Sequence, residues 1–458
     1  MRAGIRRTRD FGIRVTGSYP AGLAAPGVRS RRRFRSGPAD GGTRPGESMI
    51  IEDCRICGNR NLLPVLDLGP QALTGVFPRT REEAVPTVPL ELIKCSPDGC
   101  GLVQLRHTAD FGLMYNENYG YRSGIRPFMV QHLHGKVAAI TDLVDLGPDD
   151  LVLDIGSNDS TLLRGYPTPG PTLVGIDPTG PKFREHYPPD AELIPDFFSR
   201  DLFTERFGSR RAKVVTSIAM FYDLPRPMAF MQDVYDVLDD EGVWVMEQSY
   251  LPAMIEGTAY DVVCHEHLEY YALRQIEWMA ERVGFTVLKA ELTEVYGGSL
   301  CVTLAKRPGR YPVDEAGLAA VRARETALGL DTMAPFEAFA KRVHGYRDGL
   351  RDFLDESRKA GKVTLGYGAS TKGNVILQFC GLTEDDLPCI GEPNADKSGC
   401  FTPGTGIPIV SEEEAKSRRP DQLLVLPWIY REGFIERESE FLAGGGKLVF
   451  PLPELSVV

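Results

Sequence analysis

The residues from about 116 to 310 alternate between strand-like and helical runs, and this alternation constrains the fold more than any other feature. Four short apolar runs have the composition of buried strands, and stretches of helical character follow them. The strand-like runs are residues 151–154, 172–177, 213–217 and 243–247. Strands and helices that alternate in this way form a parallel, doubly wound sheet. The sequence therefore predicts an α/β domain over residues 116–312.

Other segments flank this region, since 458 residues are too many for one ordinary core. Residues 49–115 hold four closely spaced cysteines and show little periodicity. Residues 313–360 are polar and helix-prone, which predicts a connector of amphipathic helices. Residues 361–458 return to strand–helix alternation, which predicts a second, smaller α/β domain.

Charge is divided unevenly along the chain. The net charge is -11, yet residues 1–48 contain eleven arginines, no lysine and three acidic residues, which leaves about -19 for the remainder. We expect no nucleic-acid partner for so acidic a body, because phosphate binding requires clustered basic side chains. Residues 1–48 lack apolar periodicity and are expected to be a disordered, Arg-rich extension. A transit peptide and a nucleic-acid arm are alternatives, but an upstream extension or a misplaced start before Met49 is favoured.

The composition is that of a soluble globular protein, with 42% hydrophobic and 25% charged residues. No apolar run approaches the roughly 20 residues of a membrane helix, so no membrane partner is expected. Nine cysteines are too few for a disulfide scaffold, and the metal-like spacing of four of them indicates a reducing, cytoplasmic setting. A monomer or a homodimer is expected.

The strongest local motif is Cys54-x2-Cys57 followed by Cys95-x4-Cys100. Two thiolates on a tight turn bind one edge of a tetrahedral ion, and a second pair closes the other edge. Four thiolates and no further ligand predict a closed, structural zinc site. Four free buried cysteines or a redox CxxC pair are the alternatives.

A second motif lies directly after the strand-like run 151–154, where the chain reads Asp-Ile-Gly-Ser-Asn-Asp-Ser. A glycine at a strand end lets a ligand approach the backbone, and a following helix would offer its N-terminus. One glycine and a distal aspartate fit S-adenosylmethionine better than a dinucleotide, which would require G-x-G-x-x-G; a generic Rossmann turn is the alternative. The candidate cofactor contacts are Asp154, Gly156, Ser157, Asn158, Asp177 and Met220.

Residues 264–271 place two of the seven histidines, His265 and His267, on either side of Glu266. A histidine beside a carboxylate is the usual construction of a general base that works near neutral pH. A zinc site would require a third ligand that the sequence does not show, and an ordinary polar stretch is the other alternative.

A glycine-containing loop at residues 366–374 again lies between a strand-like and a helical run. Its flexible amides, hydroxyls and Lys372 have the physical parts of a phosphate-binding loop. The loop lacks the spacing of a Walker motif, so ATP hydrolysis is not indicated. A plain tight turn is the alternative.

Together these four motifs resemble the nucleotide-sugar C-methyltransferases of deoxysugar biosynthesis. The resemblance spans residues 49–458 and includes the phrases at 100–105, 119–124, 266–267, 296–300, 366–374, 403–405 and 445–447. It implies an N-terminal zinc-binding domain, a class I methyltransferase domain over 116–312 and a C-terminal Rossmann-like domain over 361–458. The implied cofactors are S-adenosylmethionine and structural Zn²⁺.

The resemblance also implies a reaction, in which methyl is transferred to the carbon beside the ketone of a nucleotide-bound 4-keto-6-deoxysugar, typically at C3. Such a carbon becomes nucleophilic only when a base removes its α-proton. By matching positions, His267 is the base and Glu266 its companion, and tyrosines close over the sugar. The substrate contacts expected are Tyr119, Tyr121, Tyr222, Ser370, Lys372 and Asn374.

Two positions depart from the family's pattern. Ser160 stands where a glycine is usual, so the φ angle there can differ. Cys264 stands where relatives carry a tyrosine that could help to handle the enolate; His265 or Tyr222 is the candidate replacement. The alternatives are methylation of a sugar hydroxyl or another carbon acid, and a non-catalytic protein that binds zinc and a nucleotide.

Overall fold

The first sheet is antiparallel and comes from the cysteine-containing segment of the computed structural model, which describes residues 49–115 and 121–458. Strands β2, β3 and β4 are adjacent in this sheet, and β1 pairs separately with β5. The strands are β1 (Met49–Ile50), β2 (Leu62–Ala72), β3 (Thr87–Cys95), β4 (Val103–Leu105) and β5 (His107–Thr108). The predictions made for residues 1–48 and for Tyr119 lie outside the described residues.

The central sheet has seven strands in the order β12-β13-β10-β9-β6-β7-β8. Its five strands from β10 to β8 are parallel, while β12 and β13 form an antiparallel hairpin along one edge. The elements are α1 (Pro127–Leu143), β6 (Leu151–Ile155), β7 (Thr172–Ile176), β8 (Glu192–Ile194), α2 (Arg200–Phe207), β9 (Ala212–Ile218), α3 (Pro227–Val237), β10 (Leu238–Ser249), α4 (Leu251–Glu256), β11 (Glu269–Tyr270), α5 (Leu273–Val283), β12 (Phe285–Thr293) and β13 (Ser299–Lys306). This topology confirms the predicted class I methyltransferase fold, and the edge hairpin is the feature that the alternation could not show.

The predicted helix directly after β6 is wrong. Between β6 and β7 the chain forms turns and one short 3-10 helix, Leu163–Gly165. Asn158 and Ser160 have φ angles of 47° and 62°, which no helix accommodates. A ligand at this loop would therefore meet turn amides and not a helix N-terminus.

The predicted connector consists of two helices, α6 (Glu315–Leu328) and α7 (Ala334–Lys359). Helix α7 buries one apolar stripe that includes Phe336, Phe339 and Val343, as its amphipathic pattern predicts. The last sheet has the order β16-β15-β14-β17-β18-β19 and is parallel except for β19. Its elements are β14 (Thr364–Tyr367), α8 (Thr371–Phe379), β15 (Ile390–Glu392), β16 (Ile409–Ser411), α9 (Glu412–Ser417), β17 (Gln422–Val425), α10 (Arg431–Arg437), α11 (Ser439–Ala443), β18 (Lys447–Phe450) and β19 (Ser456–Val457).

The three sheets share one hydrophobic core and lie in one compact unit. Strand β11 of the central region pairs with β4, so the first sheet has the full order β11-β4-β3-β2. The remaining 3-10 helices are Phe111–Leu113, Ser123–Ile125, Gly180–His186, Phe221–Asp223, Tyr260–Val262, Val295–Gly297 and Trp428–Tyr430. Over the described ranges, every helix is too short or too polar to cross a membrane. We propose that the domains divide between residues 115 and 116, between residues 312 and 313, and between residues 360 and 361.

Candidate active site

The structure brings the four predicted metal ligands together. Their Sγ atoms all lie within 4.8 Å of one another, and the pairs Cys54–Cys100 and Cys57–Cys95 are 3.5 Å apart. Zinc–sulfur bonds of about 2.3 Å in a tetrahedron place sulfurs about 3.8 Å apart, so the cluster fits Zn²⁺, whereas a disulfide requires about 2 Å. A side chain at Gly99 would collide with the Cys95 sulfur. All four ligand positions are filled by protein, which is the construction of a structural site.

The cysteine-containing segment holds the histidine loop, residues 264–268, from both ends. At the end of the loop, Leu105 N donates to Leu268 O at 2.8 Å, and just beyond it the buried Arg55 and Glu269 form an ion pair of 3.4 Å. At its start, His265 Nε2 donates to the Val88 carbonyl at 3.0 Å, and burial lowers the pKa of His265 to about 4. His265 therefore ties the loop to β3, and we propose a positioning role for it in place of a catalytic one.

His267 has a defined tautomer. Its Nδ1 lies 2.8 Å from the Val262 carbonyl oxygen, which can only accept, so Nδ1 carries the proton and Nε2 has a free lone pair. Burial, and after it the charge of Lys372, lowers the pKa of His267 to about 3. The Tyr222 ring packs edge-on against the imidazole, with 4.4 Å between centroids. A neutral imidazole with one free nitrogen is the form that a general base requires.

Glu266 is only 8% exposed, and its Oε2 has no hydrogen-bond partner among the described residues. A Cβ at Gly75 would collide with the other carboxyl oxygen, so glycine is required there. Burial raises the pKa of Glu266, because desolvation disfavours the charged form. The neighbouring Cys264 is also buried, and burial raises the pKa of its thiol well above the usual value.

The loop after β6 brings three of the predicted cofactor residues together. Asp154 accepts a hydrogen bond of 2.6 Å from Thr216, and burial raises the pKa of Asp154 to about 7. Gly156 has a φ of 74°, and a Cβ there would lie 3.2 Å from Met220 Cγ. The missing side chain lets Met220 pack closely against the turn. The turn lies at the carboxyl ends of β6 and β9, the edge at which doubly wound sheets bind nucleosides.

Asp177 ends β7 and joins the same site. Its Oδ2 accepts from Asn158 N at 2.8 Å, and its Oδ1 accepts from the amide and the hydroxyl of Thr179 at 2.6 Å each. Each carboxylate oxygen offers two acceptor sites, so Oδ2 can still accept from a ribose hydroxyl. The Ser157 hydroxyl bonds with Tyr187 at 2.9 Å, and the Ser157 carbonyl accepts from Ser160 N at 2.7 Å, so both groups hold the turn.

Ser160 keeps the left-handed conformation that a glycine would adopt, with a φ of 62°. Its hydroxyl is buried without a hydrogen-bond partner among the described residues. A serine with this φ angle carries backbone strain that a glycine at the same position would not.

The three residues predicted to hold a nucleotide diphosphate differ in placement. Ser370 caps α8 by accepting from Gly373 N at 3.0 Å, and the buried Asn374 donates from Nδ2 to Thr74 O at 2.8 Å. These two side chains hold the loop and the first sheet. Lys372 acts electrostatically on His267, Cys264 and Asp261, which places its charge beside the histidine loop.

Two tyrosines that the motif reasoning did not select, Tyr296 and Tyr430, lie near the predicted Tyr121. The Tyr121 hydroxyl bonds with that of Tyr296, which has a strained φ of 56° and whose pKa is raised by burial and by Tyr121, Tyr222 and Tyr430. The Arg126 guanidinium stacks 3.9 Å from the Tyr430 ring centroid. Tyr296 lies in one of the resembling phrases, but Tyr430 had no sequence signal.

An ionic cluster was also missed. The buried Glu247 near the end of β10 bonds His132 at 2.7 Å and Lys136 at 2.5 Å, both on α1. Burial alone would raise the pKa of Glu247, but these two partners lower it. Residues so distant in sequence give no local pattern.

The sheet topology and the glycine turn at the end of β6 are those of a class I methyltransferase. Three family models match separate parts of the chain: "Putative zinc binding domain" over residues 54–115, "Methyltransferase domain" over 130–290 and "C-methyltransferase C-terminal domain" over 294–453. The C-methyltransferase NovU of Streptomyces niveus is 29% identical over 412 residues, which cover 89% of this chain and 97% of that protein. The chain is thus an S-adenosylmethionine-dependent C-methyltransferase with a zinc-binding segment.

Similarity to solved structures is slight. The plantazolicin methyltransferase BpumL is 11% identical with a TM-score of 0.32, over 40% of this chain and 87% of that one. The magnesium protoporphyrin IX methyltransferase of Synechocystis is 12% identical with a TM-score of 0.29, over 39% of this chain and 78% of that one. At such scores neither similarity bears on the function of this chain.

Proposed function

We propose that this C-methyltransferase acts on the carbon beside the ketone of a nucleotide-bound 4-keto-6-deoxysugar. One observation carries the proposal: a neutral His267 with a free Nε2 lies within the electrostatic reach of Lys372, which a different segment supplies. The imidazole of His267 suits a base that removes an α-proton, and the ammonium group of Lys372 suits the binding of a diphosphate.

The chain's own residues divide the work. His267 Nε2 takes the α-proton, while Val262 holds the imidazole through Nδ1 and fixes its tautomer. When bound, S-adenosylmethionine supplies an electrophilic methyl group; Gly156, Asn158, Asp177 and Met220 would hold it. Exclusion of water around the loop strengthens each of these electrostatic interactions.

Lys372 would couple substrate binding to basicity. Its charge lowers the pKa of His267, which makes the free enzyme's imidazole a weak base. A diphosphate bound at Lys372 would offset that charge, so the pKa of His267 would rise towards its ordinary range. The base would then be strongest when a nucleotide substrate is in place.

Tyr121, Tyr222 and Tyr296 would form the wall against which the sugar packs. Their hydroxyls and rings suit a ligand with one polar and one apolar face. Tyr222 already contacts the imidazole, so the wall continues to the reacting carbon.

The test is exchange of the substrate's α-proton with deuterated solvent, followed by proton spectra in the absence of the methyl donor. The substrate is a thymidine-diphosphate 4-keto-6-deoxyhexose. We expect exchange with the native chain and none with His267→Asn, whereas the matched variant His265→Asn should retain it. Methylation without exchange in either protein would instead indicate a hydroxyl acceptor and overturn the proposal.

A further inference from the structure

The 3-10 helix Tyr260–Val262, which lies just before the histidine loop, supplies the carbonyl that orients the base. The Val262 oxygen accepts from His267 Nδ1 at 2.8 Å and from the Tyr270 hydroxyl at 3.3 Å. A 3-10 helix of three residues forms only one turn with poor hydrogen-bond geometry, so it depends on outside contacts to keep its direction. What holds the two residues before Val262 therefore decides where its carbonyl points.

The C-terminal segment, residues 361–458, holds both of these side chains. The buried Tyr260 ring packs edge-on against Phe379, with 5.4 Å between centroids. Asp261 is also buried, and its Oδ2 accepts from Trp428 Nε1 at 2.8 Å. The second contact is a directed hydrogen bond, so it fixes the backbone at Asp261 more narrowly than ring packing does.

The bond from Trp428 is the only side-chain hydrogen bond to the Asp261 carboxyl group in the ranges that the structure describes. The other oxygen, Oδ1, is shielded from solvent and has no partner there. Burial raises the pKa of Asp261, and the charge of Lys372, followed by the Trp428 bond, opposes that rise. A buried acceptor that loses its only side-chain donor is costly, so Asp261 would rearrange without Trp428 Nε1.

Trp428 is itself fixed by its neighbours in the chain. A Cβ at Gly368 would lie 2.6 Å from Pro427 Cδ, so the glycine-containing loop packs directly against Pro427. On the other side of Trp428, a Cβ at Gly297 would lie 3.5 Å from Ile429 Cγ2. Trp428 thus lies between the loop that would bind a diphosphate and the turn before β13, and it has little freedom to move away from Asp261.

We propose that Trp428, by donating to Asp261, positions the Val262 carbonyl and thereby holds the catalytic imidazole in the tautomer with a free Nε2. This inference rests on the proposed function, in which His267 is the base. Trp428 and Asp261 are positioning residues, since each acts through another residue. The C-terminal segment thus orients the base of the methyltransferase domain.

The experiment compares the native full-length chain with Trp428→Phe, which removes the Nε1 donor and keeps an aromatic ring. Long-range nitrogen–proton spectra of the imidazole rings report the tautomer of His267 without substrate, and His267→Asn assigns its signal. The native chain should show a proton on Nδ1 alone, and Trp428→Phe should show a mixture of both tautomers. In α-proton exchange on the same keto-sugar nucleotide, kcat should fall about tenfold while KM stays within about twofold, because one lost hydrogen bond misplaces the base and leaves the binding groups in place.

The matched control is Trp278→Phe on α5, where the ring centroid lies 3.5 Å from the Arg282 guanidinium. This variant should change neither the tautomer nor the exchange rate. Asp261→Ala removes the acceptor of the same bond, so the double variant with Trp428→Phe should lose no more than the larger single effect. Thermal melts identify misfolding, and Asp261→Ala provides the same tautomer measurement if Trp428→Phe fails to fold.

A native tautomer in the spectra of Trp428→Phe would refute the inference. A raised KM with an unchanged kcat would also refute it, because Trp428 would then only support the binding surface. Absence of exchange and of methylation by the native chain would instead refute the proposed function. The tautomer spectra need no substrate, so they test the positioning role in either case.

Discussion

Replacing Ser160 with glycine should stabilise the protein, although the residue lies at the cofactor loop. A non-glycine residue in the left-handed region costs about 1 kcal/mol or more. A buried hydroxyl without a partner costs about 1–3 kcal/mol. The extra entropy of glycine in the unfolded chain opposes these gains by roughly 0.5–1 kcal/mol. The net expectation is about 1–3 kcal/mol of stabilisation.

A matched variant separates the cost of the left-handed φ angle from the cost of the buried hydroxyl. Ser160→Ala removes the hydroxyl and keeps the strained φ, so it should gain less than Ser160→Gly. Urea unfolding followed by far-UV circular dichroism, with zinc present throughout, measures both. A stabilisation of about 1 kcal/mol corresponds to a melting-temperature rise of about 2–4 °C in a chain of 150–250 residues and to less in this longer one.

Destabilisation by Ser160→Gly would show that the hydroxyl is satisfied in solution or that the loop is held by other contacts. A gain from Ser160→Ala that exceeds the gain from Ser160→Gly by about 0.5–1 kcal/mol, the entropy penalty of glycine alone, would show that the left-handed φ carries no cost. Either result would refute the strain argument for this position.

Three further changes have defined outcomes. Cys57→Ser should remove the metal and disorder the first sheet, because structural zinc contributes about 10–16 kcal/mol against a domain stability of about 5–15 kcal/mol. The zinc content of the protein and its circular dichroism spectrum measure the two effects. A variant that keeps its full structure without metal would contradict the prediction. Lys372→Met should raise the pKa of His267 in the free enzyme, because the charge that lowers it is removed. The base acts only above its pKa, so the acid limb of the pH profile of α-proton exchange, measured at low substrate concentration, should move to higher pH. An unmoved limb would exclude electrostatic coupling between Lys372 and His267. Glu247→Gln should destabilise the fold by about 3 kcal/mol, because Lys136 would keep a buried charge without its partner. An unchanged free energy of unfolding would contradict this prediction.

The local sequence pattern was sufficient to predict an element or a site wherever residues close in sequence determine it. The strand predicted at 447–450 is β18, and the cysteine spacing identified four sulfurs that the structure gathers into one cluster. The helix after β6 failed because the left-handed angles at Asn158 and Ser160 leave no mark in the composition.

Contacts between distant segments could not be read from the chain. Tyr115 meets Asp223 across 108 residues of sequence, and Tyr121 meets Tyr296 across 175, so only the folded chain brings these pairs together. Similarly, the side chains of Ser370 and Asn374 looked available for a ligand, yet each is used in a structural hydrogen bond that only the fold reveals. The sequence supplied chemically suitable residues, and the fold decides which of them are free.

The most direct test of carbon methylation is product analysis. The chain from Met49 would be incubated with S-adenosylmethionine carrying a ¹³C-labelled methyl group and with a thymidine-diphosphate 4-keto-6-deoxyhexose. We predict one labelled methyl bonded to the carbon beside the ketone, as shown by carbon–proton correlation spectra and the product mass. A labelled methyl on a hydroxyl oxygen, or no transfer despite α-proton exchange on other keto-sugars, would contradict the assignment of this substrate.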